Sequence, residues 1–273
     1  MKKVLFHLLF IIFCFTNLRA AHIDTLLVES RSMNKSIPNL VILPDAYDAQ
    51  KQPFPVLYLL HGASGDFMDW LNKVPALKQY VDQYNFIIVC PDGGYTSWYF
   101  DSPIDEKMQY ETYIADELVT NVDEKYNTFQ DPAKRAISGL SMGGHGAFYL
   151  AFRHQEIWRA AGSTSGGLDI RPFPDSWDLP KRLGTYSEHR ENWEQNTVIN
   201  MIYLLDGKNL KIIFDCGVDD FFYDANKRMH EKLLERNIHH DYIERPGSHN
   251  TEYWANSIKY QLLFFKEFFS SND

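Results

Sequence analysis

Along this chain, short runs of apolar residues alternate with longer segments whose apolar positions recur every three or four residues. Val56–Leu60, Phe86–Cys90, Arg135–Ser138, Ala160–Thr164 and Lys211–Phe214 are strand-length runs with little polar interruption, the pattern of parallel strands buried on both faces. Upstream, His22–Met33 and Ile37–Leu43 read as β-like stretches of an antiparallel edge. Within Met108–Tyr126, apolar residues at 110, 113, 114, 118 and 122 mark one face of a helix, and Thr251–Phe269 is a second amphipathic segment. Strands separated by helices predict an α/β fold: a doubly wound, mostly parallel sheet with an antiparallel N-terminal edge and helices on both faces.

No internal repeat, low-complexity tract or flexible linker divides residues 21–273, so one domain is expected. Its irregular stretch, 168–208, carries Pro172, Pro174, Pro180, Trp177 and Trp193 among charges. Following the strand Ala160–Thr164, it belongs above the carboxyl edge of the sheet, where it reads equally as a cap-like insertion or a packed surface loop. Residues 1–20 have another character. Lys2 and Lys3 precede the apolar run Val4–Phe15, and a short polar stretch ends at Ala20-Ala21, the layout of a cleaved signal peptide. That run is short of the ~20 apolar residues a bilayer span requires, which favours a cleaved signal over its alternative, an uncleaved anchor. Cys14 lacks the small residues that should precede a lipid-modified cysteine. A secreted or periplasmic chain is therefore expected.

The chemistry starts at Gly139-Leu140-Ser141-Met142-Gly143, which fits the G-x-S-x-G nucleophile elbow where an apolar run gives way to a helix-like segment. A serine hydroxyl needs a histidine to take its proton and a carboxylate to orient the imidazole. After the strand-like run ending at Phe214 comes the acidic turn Asp215-Cys216-Gly217-Val218-Asp219-Asp220. Asp220, three residues past the glycine, is preferred to Asp219, which suits a turn or a helix cap. Arg245-Pro246-Gly247-Ser248-His249-Asn250 is a turn-marked loop with one histidine just before the last helical segment, so His249 is the expected base. The chain order Ser141, Asp220, His249 is that of α/β-hydrolases. His145 reads as a packing residue behind the elbow, and His239 and His240 as solvated residues in a polar link. Backbone donors for an oxyanion are expected from Met142, after the nucleophile, and from Ala63, in His61-Gly62-Ala63-Ser64-Gly65 at the end of an earlier strand. Trp98 and Tyr99 follow another strand end and are candidates for substrate contact, although aromatic residues are more often core.

These residues carry a resemblance. Leu59-Leu60-His61-Gly62, Pro91-Asp92-Gly93-Gly94, Ser97-Trp98-Tyr99, Tyr110–Tyr113, Gly139–Gly144, Asp215-Cys216-Gly217 with Asp220-Phe221, and Gly247-Ser248-His249 resemble the esterase D and tributyrin esterase group of α/β-hydrolases, which includes feruloyl and acetyl xylan esterases and mycolyltransferases. Ser248 departs from the pattern, since related loops commonly carry a second glycine there. Asn250-Thr251 also depart, standing in place of an aromatic. The resemblance implies hydrolysis of small acyl esters or of acyl groups on plant polysaccharides. Its alternatives are acyl transfer to a sugar hydroxyl and a catalytically silent carbohydrate-binding module. Export argues against the cytosolic S-formylglutathione branch.

Charge and cysteines narrow the partners. The full chain has a net charge of −9, and without residues 1–20, which hold three basic residues and no acid, the balance becomes −12. Such a surface disfavours nucleic acid and anionic membranes. Cys90 and Cys216 lie on strands expected on opposite sides of the central one, too far apart to pair, so two buried thiols are predicted. No metal-ligand set or phosphate-cradling loop is present, so no metal or cofactor is expected. The pattern does not specify an oligomeric state.

Overall fold

The computed structural model describes residues 21–48 and 51–271; the signal-peptide reading and Cys14 lie outside them. Eight strands form one sheet: β1 (His22–Ser30), β2 (Lys35–Leu43), β3 (Val56–Leu60), β4 (Ile87–Pro91), β5 (Arg135–Gly139), β6 (Ala160–Thr164), β7 (Lys211–Gly217) and β8 (Asp241–Arg245), in the spatial order β1-β2-β4-β3-β5-β6-β7-β8. β1 and β2 pair antiparallel and β2 joins β4 antiparallel, whereas every pairing from β4 to β8 is parallel.

Alternation along the strands divides the core. Val56, Tyr58 and Leu60 face one side, with helix Met142–Arg153 and Met229 and Leu233 of helix Tyr223–Glu235. Leu57 and Leu59 face the other, with Trp70, Leu77 and Val81 and the inner face of helix Thr251–Ser270. The helical segment expected at 108–126 runs from Tyr110 to Lys125 and contains a π-helical stretch, Tyr113–Leu118. Three strands separate Cys90 from Cys216, a gap of roughly 19 Å at ~4.8 Å per strand. Both are buried free thiols.

β8 has no apolar run of its own, because Asp241-Tyr242-Ile243-Glu244-Arg245 sits at the sheet edge and is only half-buried. The stretch 168–208 folds into short helical turns whose Leu168, Ile170, Leu179, Leu183 and Trp193 join the core. One segment of it, around Trp177, reaches the carboxyl edge of the sheet.

Close packing at the elbow explains its glycines. A Cβ on Gly139 would lie 2.4 Å from the Gly143 backbone, and one on Gly143 would lie 2.4 Å from the Leu60 carbonyl oxygen. Neither neighbour is a flexible side-chain tip, so the helix would have to shift off the sheet. Gly143→Ala is therefore expected to cost about 1–3 kcal/mol through overpacking, which lowers the thermal midpoint by about 2–6 °C in a chain of this size. Calorimetry of the two proteins checks this.

Candidate active site

Ser141 sits between β5 and helix Met142–Arg153 with φ 56° and ψ −118°, a backbone conformation rare for a residue with a Cβ. It is held there from both sides: its N–H donates to the Thr164 carbonyl (3.0 Å), and its carbonyl accepts from the His145 N–H (3.0 Å) and the Gly167 N–H (3.3 Å). The hydroxyl is thereby thrust clear of the sheet.

His249 and Asp220 reach this hydroxyl from loops after β8 and β7. His249 Nε2 lies 2.9 Å from Ser141 Oγ, and His249 Nδ1 lies 2.8 Å and 3.1 Å from the two Asp220 oxygens. An ionised carboxylate only accepts, so Nδ1 carries the proton and Nε2 is left to accept from the serine. The Asp220 carboxylate is fully buried and also accepts the Phe222 N–H at 2.8 Å. Asp219, by contrast, is exposed, and its N–H bonds the Gly247 carbonyl.

The two loops are stitched together. Val218 N–H donates to Arg245 and Asp219 N–H to Gly247, while a Cβ on Gly217 would strike the Gly247 carbonyl at 2.2 Å. Asn250, which departs from the family pattern, caps helix Thr251–Ser270 by accepting the Tyr253 N–H at 2.9 Å. His249 is thus fixed between a strand and a capped helix.

Ala63 lines the same cavity as Ser141. Its loop runs directly against the serine, since a Cβ on Gly62 would be 3.3 Å from Ser141 Cβ. Among the described residues, none accepts a hydrogen bond from the Ala63 N–H. The Met142 N–H opens a helix and has no intrahelical acceptor. His61 braces the loop: its Nδ1–H donates to the Gly62 carbonyl (2.7 Å) and its Nε2 accepts the Gly93 N–H (2.8 Å). Burial holds this imidazole below its ordinary range, so it stays neutral for both bonds.

The cavity, about 470 Å³, is lined by Gly62–Gly65, Asp69, Lys73, Leu140, Ser141, Trp177, Phe221, His249 and Trp254. Trp98 and Tyr99 do not line it, which corrects the expectation of direct substrate contact. Both are buried: the Trp98 indole N–H donates to the Trp177 carbonyl (3.2 Å), and the Tyr99 hydroxyl to the His61 carbonyl (3.1 Å). They support the wall rather than form it. Trp177, Phe221 and Trp254 are the lining aromatics that the sequence reading missed, and the proline-punctuated tryptophan at 177 was the available signal.

His145 is buried, with Nε2 bonded to the Asn196 carbonyl at 3.0 Å and its ring against Trp98 and Tyr149. This is a packing role. His239 is exposed, but His240 is half-buried against Phe214 and bonds His230 at 2.7 Å, so the reading of both as solvated fails for His240. A separate cleft of about 640 Å³ around Glu111, Arg153 and His154 includes none of Ser141, Asp220 and His249. Among the described residues, no cluster of three or more potential metal ligands occurs, and no helix is long and apolar enough to cross a membrane.

The family model described as "Putative esterase" matches residues 30–265. The chain belongs to this esterase family. An acetyl esterase of Caldicellulosiruptor saccharolyticus is 26% identical over 249 residues, covering 84% of this chain and 92% of the relative. The diacylglycerol acyltransferase/mycolyltransferase Ag85A of Mycobacterium tuberculosis is 26% identical over 236 residues, covering 74% and 70%. Among solved structures, a ferulic acid esterase superposes with a TM-score of 0.79 at 27% identity, covering 92% of this chain and 99% of that one. Neighbours such as the Staphylococcus aureus serine hydrolase FphF, with a TM-score of 0.80 at 20% identity, covering 90% and 98%, share the α/β-hydrolase fold. The chain is accordingly a carboxylic ester hydrolase of that fold.

One pH dependence follows from His145, whose imidazole burial pushes down to about 4. The unfolded chain takes up this proton near pH 6.5 and the folded chain only near 4, so stability falls as pH drops through that window and levels off below it. The loss amounts to about 3 kcal/mol at full extent. Urea melts from pH 7 to 4 should show it, and His145→Phe should flatten the curve.

Proposed function

We propose that the chain is an exported serine esterase in which Ser141, His249 and Asp220 form the catalytic triad, acting on short-chain or carbohydrate-linked acetyl and feruloyl esters. The continuous hydrogen-bonded series from Ser141 Oγ through His249 to the buried Asp220 carboxylate carries this reading. Ser141 Oγ attacks the ester carbonyl as His249 Nε2 takes its proton, and Asp220 steadies the imidazolium. The Ala63 and Met142 amides receive the oxyanion. Collapse of the adduct breaks the bond to the alcohol, which leaves with the proton held by His249. Water then enters, gives its proton to His249 and releases the acid, restoring the Ser141 hydroxyl. Resemblance to an acetyl esterase and a ferulic acid esterase supports the substrate class. In this reading residues 1–20 direct export, and the segment of 168–208 around Trp177 acts as a fixed cap over the site.

Ser141→Ala should lower kcat on an acetyl ester by about 10⁴-fold or more, and Asp220→Asn by about 10³–10⁴-fold, with the fold retained. Asp219→Asn should stay within about threefold. Equal losses in Asp219→Asn and Asp220→Asn would remove the acid assignment.

Resemblance to the Ag85A acyltransferase supports a second reading, in which a sugar hydroxyl replaces water at the deacylation step. Product analysis with and without trehalose or glucose decides between them. Hydrolysis predicts free acid as the product in both mixtures.

A further inference from the structure

Two stretches of strained backbone meet beside the cavity. Trp98 and Tyr99 are consecutive residues with φ of 56° and 62°, and Trp177 and Asp178 are consecutive residues with φ of 48° and 56°. A left-handed conformation is uncommon for any residue with a Cβ and rarer for one as bulky as tryptophan, so two adjacent pairs require strong local restraint. The restraints run between the two stretches. Thr96 Oγ1 donates to Asp178 Oδ2 (2.9 Å), the Trp98 indole N–H to the Trp177 carbonyl (3.2 Å), Arg182 Nε to the Thr96 carbonyl (3.2 Å) and Ser102 Oγ to the Arg182 carbonyl (2.7 Å). Thr96 and Trp98 are buried. The segment around Trp177 is therefore latched onto the loop after β4.

The latch fixes the tryptophan ring in one place. Trp177 stacks on Phe221 at 5.7 Å and 22°, with Phe173 packed against both. Phe221, half-exposed, lies over the His249 ring at 4.2 Å. This contact orients the wall relative to the reaction. The leaving oxygen must approach His249 Nε2 to receive its proton, so the aromatic surface gathered around His249 flanks the alcohol side of the ester, while the oxyanion lies toward Ala63.

We propose that Trp177 is a specificity-determining residue for the leaving alcohol, favouring alcohols that present a ring face, and that Thr96 and Asp178 are positioning residues that hold it there. The proposal rests on Ser141 as nucleophile and His249 as proton donor. A pyranoside presents its C–H face and an aryl alcohol its π face to such a wall, and both share this one chemistry of stacking.

Three acetates of primary alcohols test it at matched leaving-group reactivity: ethyl acetate, benzyl acetate and methyl 6-O-acetyl-glucopyranoside. Trp177→Ala should lower kcat/KM about tenfold on at least one of the two ring-bearing esters and no more than about threefold on ethyl acetate. Whichever ring ester responds identifies the aryl or the sugar source. Thr96→Val should raise KM for the same ester several-fold with kcat retained and leave ethyl acetate unaffected, and Thr96→Ser should restore it, which mere loss of stability would not produce. An equal fall on all three acetates would overturn the assignment. So would a Trp177→Ala effect that follows acyl length, read from ethyl butyrate against ethyl acetate. If the unmodified protein cleaved none of these esters, the acetyl-ester reading on which the proposal rests would fail first; cleavage without the selective loss defeats only the proposed role of Trp177.

Discussion

The site depends on one strained residue held against a sheet. Ser141 turns the chain from β5 into helix Met142–Arg153 at φ 56°, and this is tolerated because Gly139 and Gly143 let the turn lie directly on the Leu60 backbone. Hydrogen bonds from Ser141 to Thr164, and to it from His145 and Gly167, complete the restraint. Strain of this kind, on the order of 1–3 kcal/mol, persists only where the surroundings over-determine it. Here they do so with backbone from three successive parallel strands, β3, β5 and β6, and the segments that follow them.

Below the site, a buried carboxylate ties the same strands to the histidine loop. Asp215 at the end of β7 accepts from Thr164 Oγ1 (3.1 Å), from Gln261 Nε2 (2.8 Å) and from the Ser257 hydroxyl, with the Arg245 guanidinium 3.6 Å away. Burial pushes this carboxyl up from the usual range despite those donors. Thr164 lies under the serine, Arg245 precedes His249, and Ser257 and Gln261 belong to the helix that follows it. One group therefore ties the segments that carry Asp220 and His249 to Thr164, whose carbonyl accepts the Ser141 N–H, and each hydrogen-bond donor adds the modest net stability of a satisfied buried hydrogen bond.

Much of the architecture was legible because its causes are local. Strands covered on both faces must be apolar throughout, so β3 to β7 stand out, whereas β8 at the edge carries three charges in five residues and does not. The elbow glycines were legible for the same kind of reason: only glycine fits the two positions that touch backbone. Asp220 and His249 could be placed by their loops, since each follows a strand at the carboxyl edge of a parallel sheet. Trp98 and Tyr99 were misassigned because their loop position says nothing about depth; both are buried, Trp98 against Trp177 and Tyr99 against the His61 carbonyl. His240 reads as polar linker in sequence, yet it packs on Phe214 once β7 and β8 pair.

The amino-acid order by itself determined the fold class, the elbow and the order of its chemical partners, because each is written in a contiguous segment and enforced by backbone sterics or by strand burial. Only the tertiary structure decided which aromatic rings line the cavity and which prop it up. Trp177 comes from a segment with no periodicity, and its place is set by contacts with residues some eighty positions away. Distances of that kind depend on how loops cross above the sheet, where no local propensity fixes the answer.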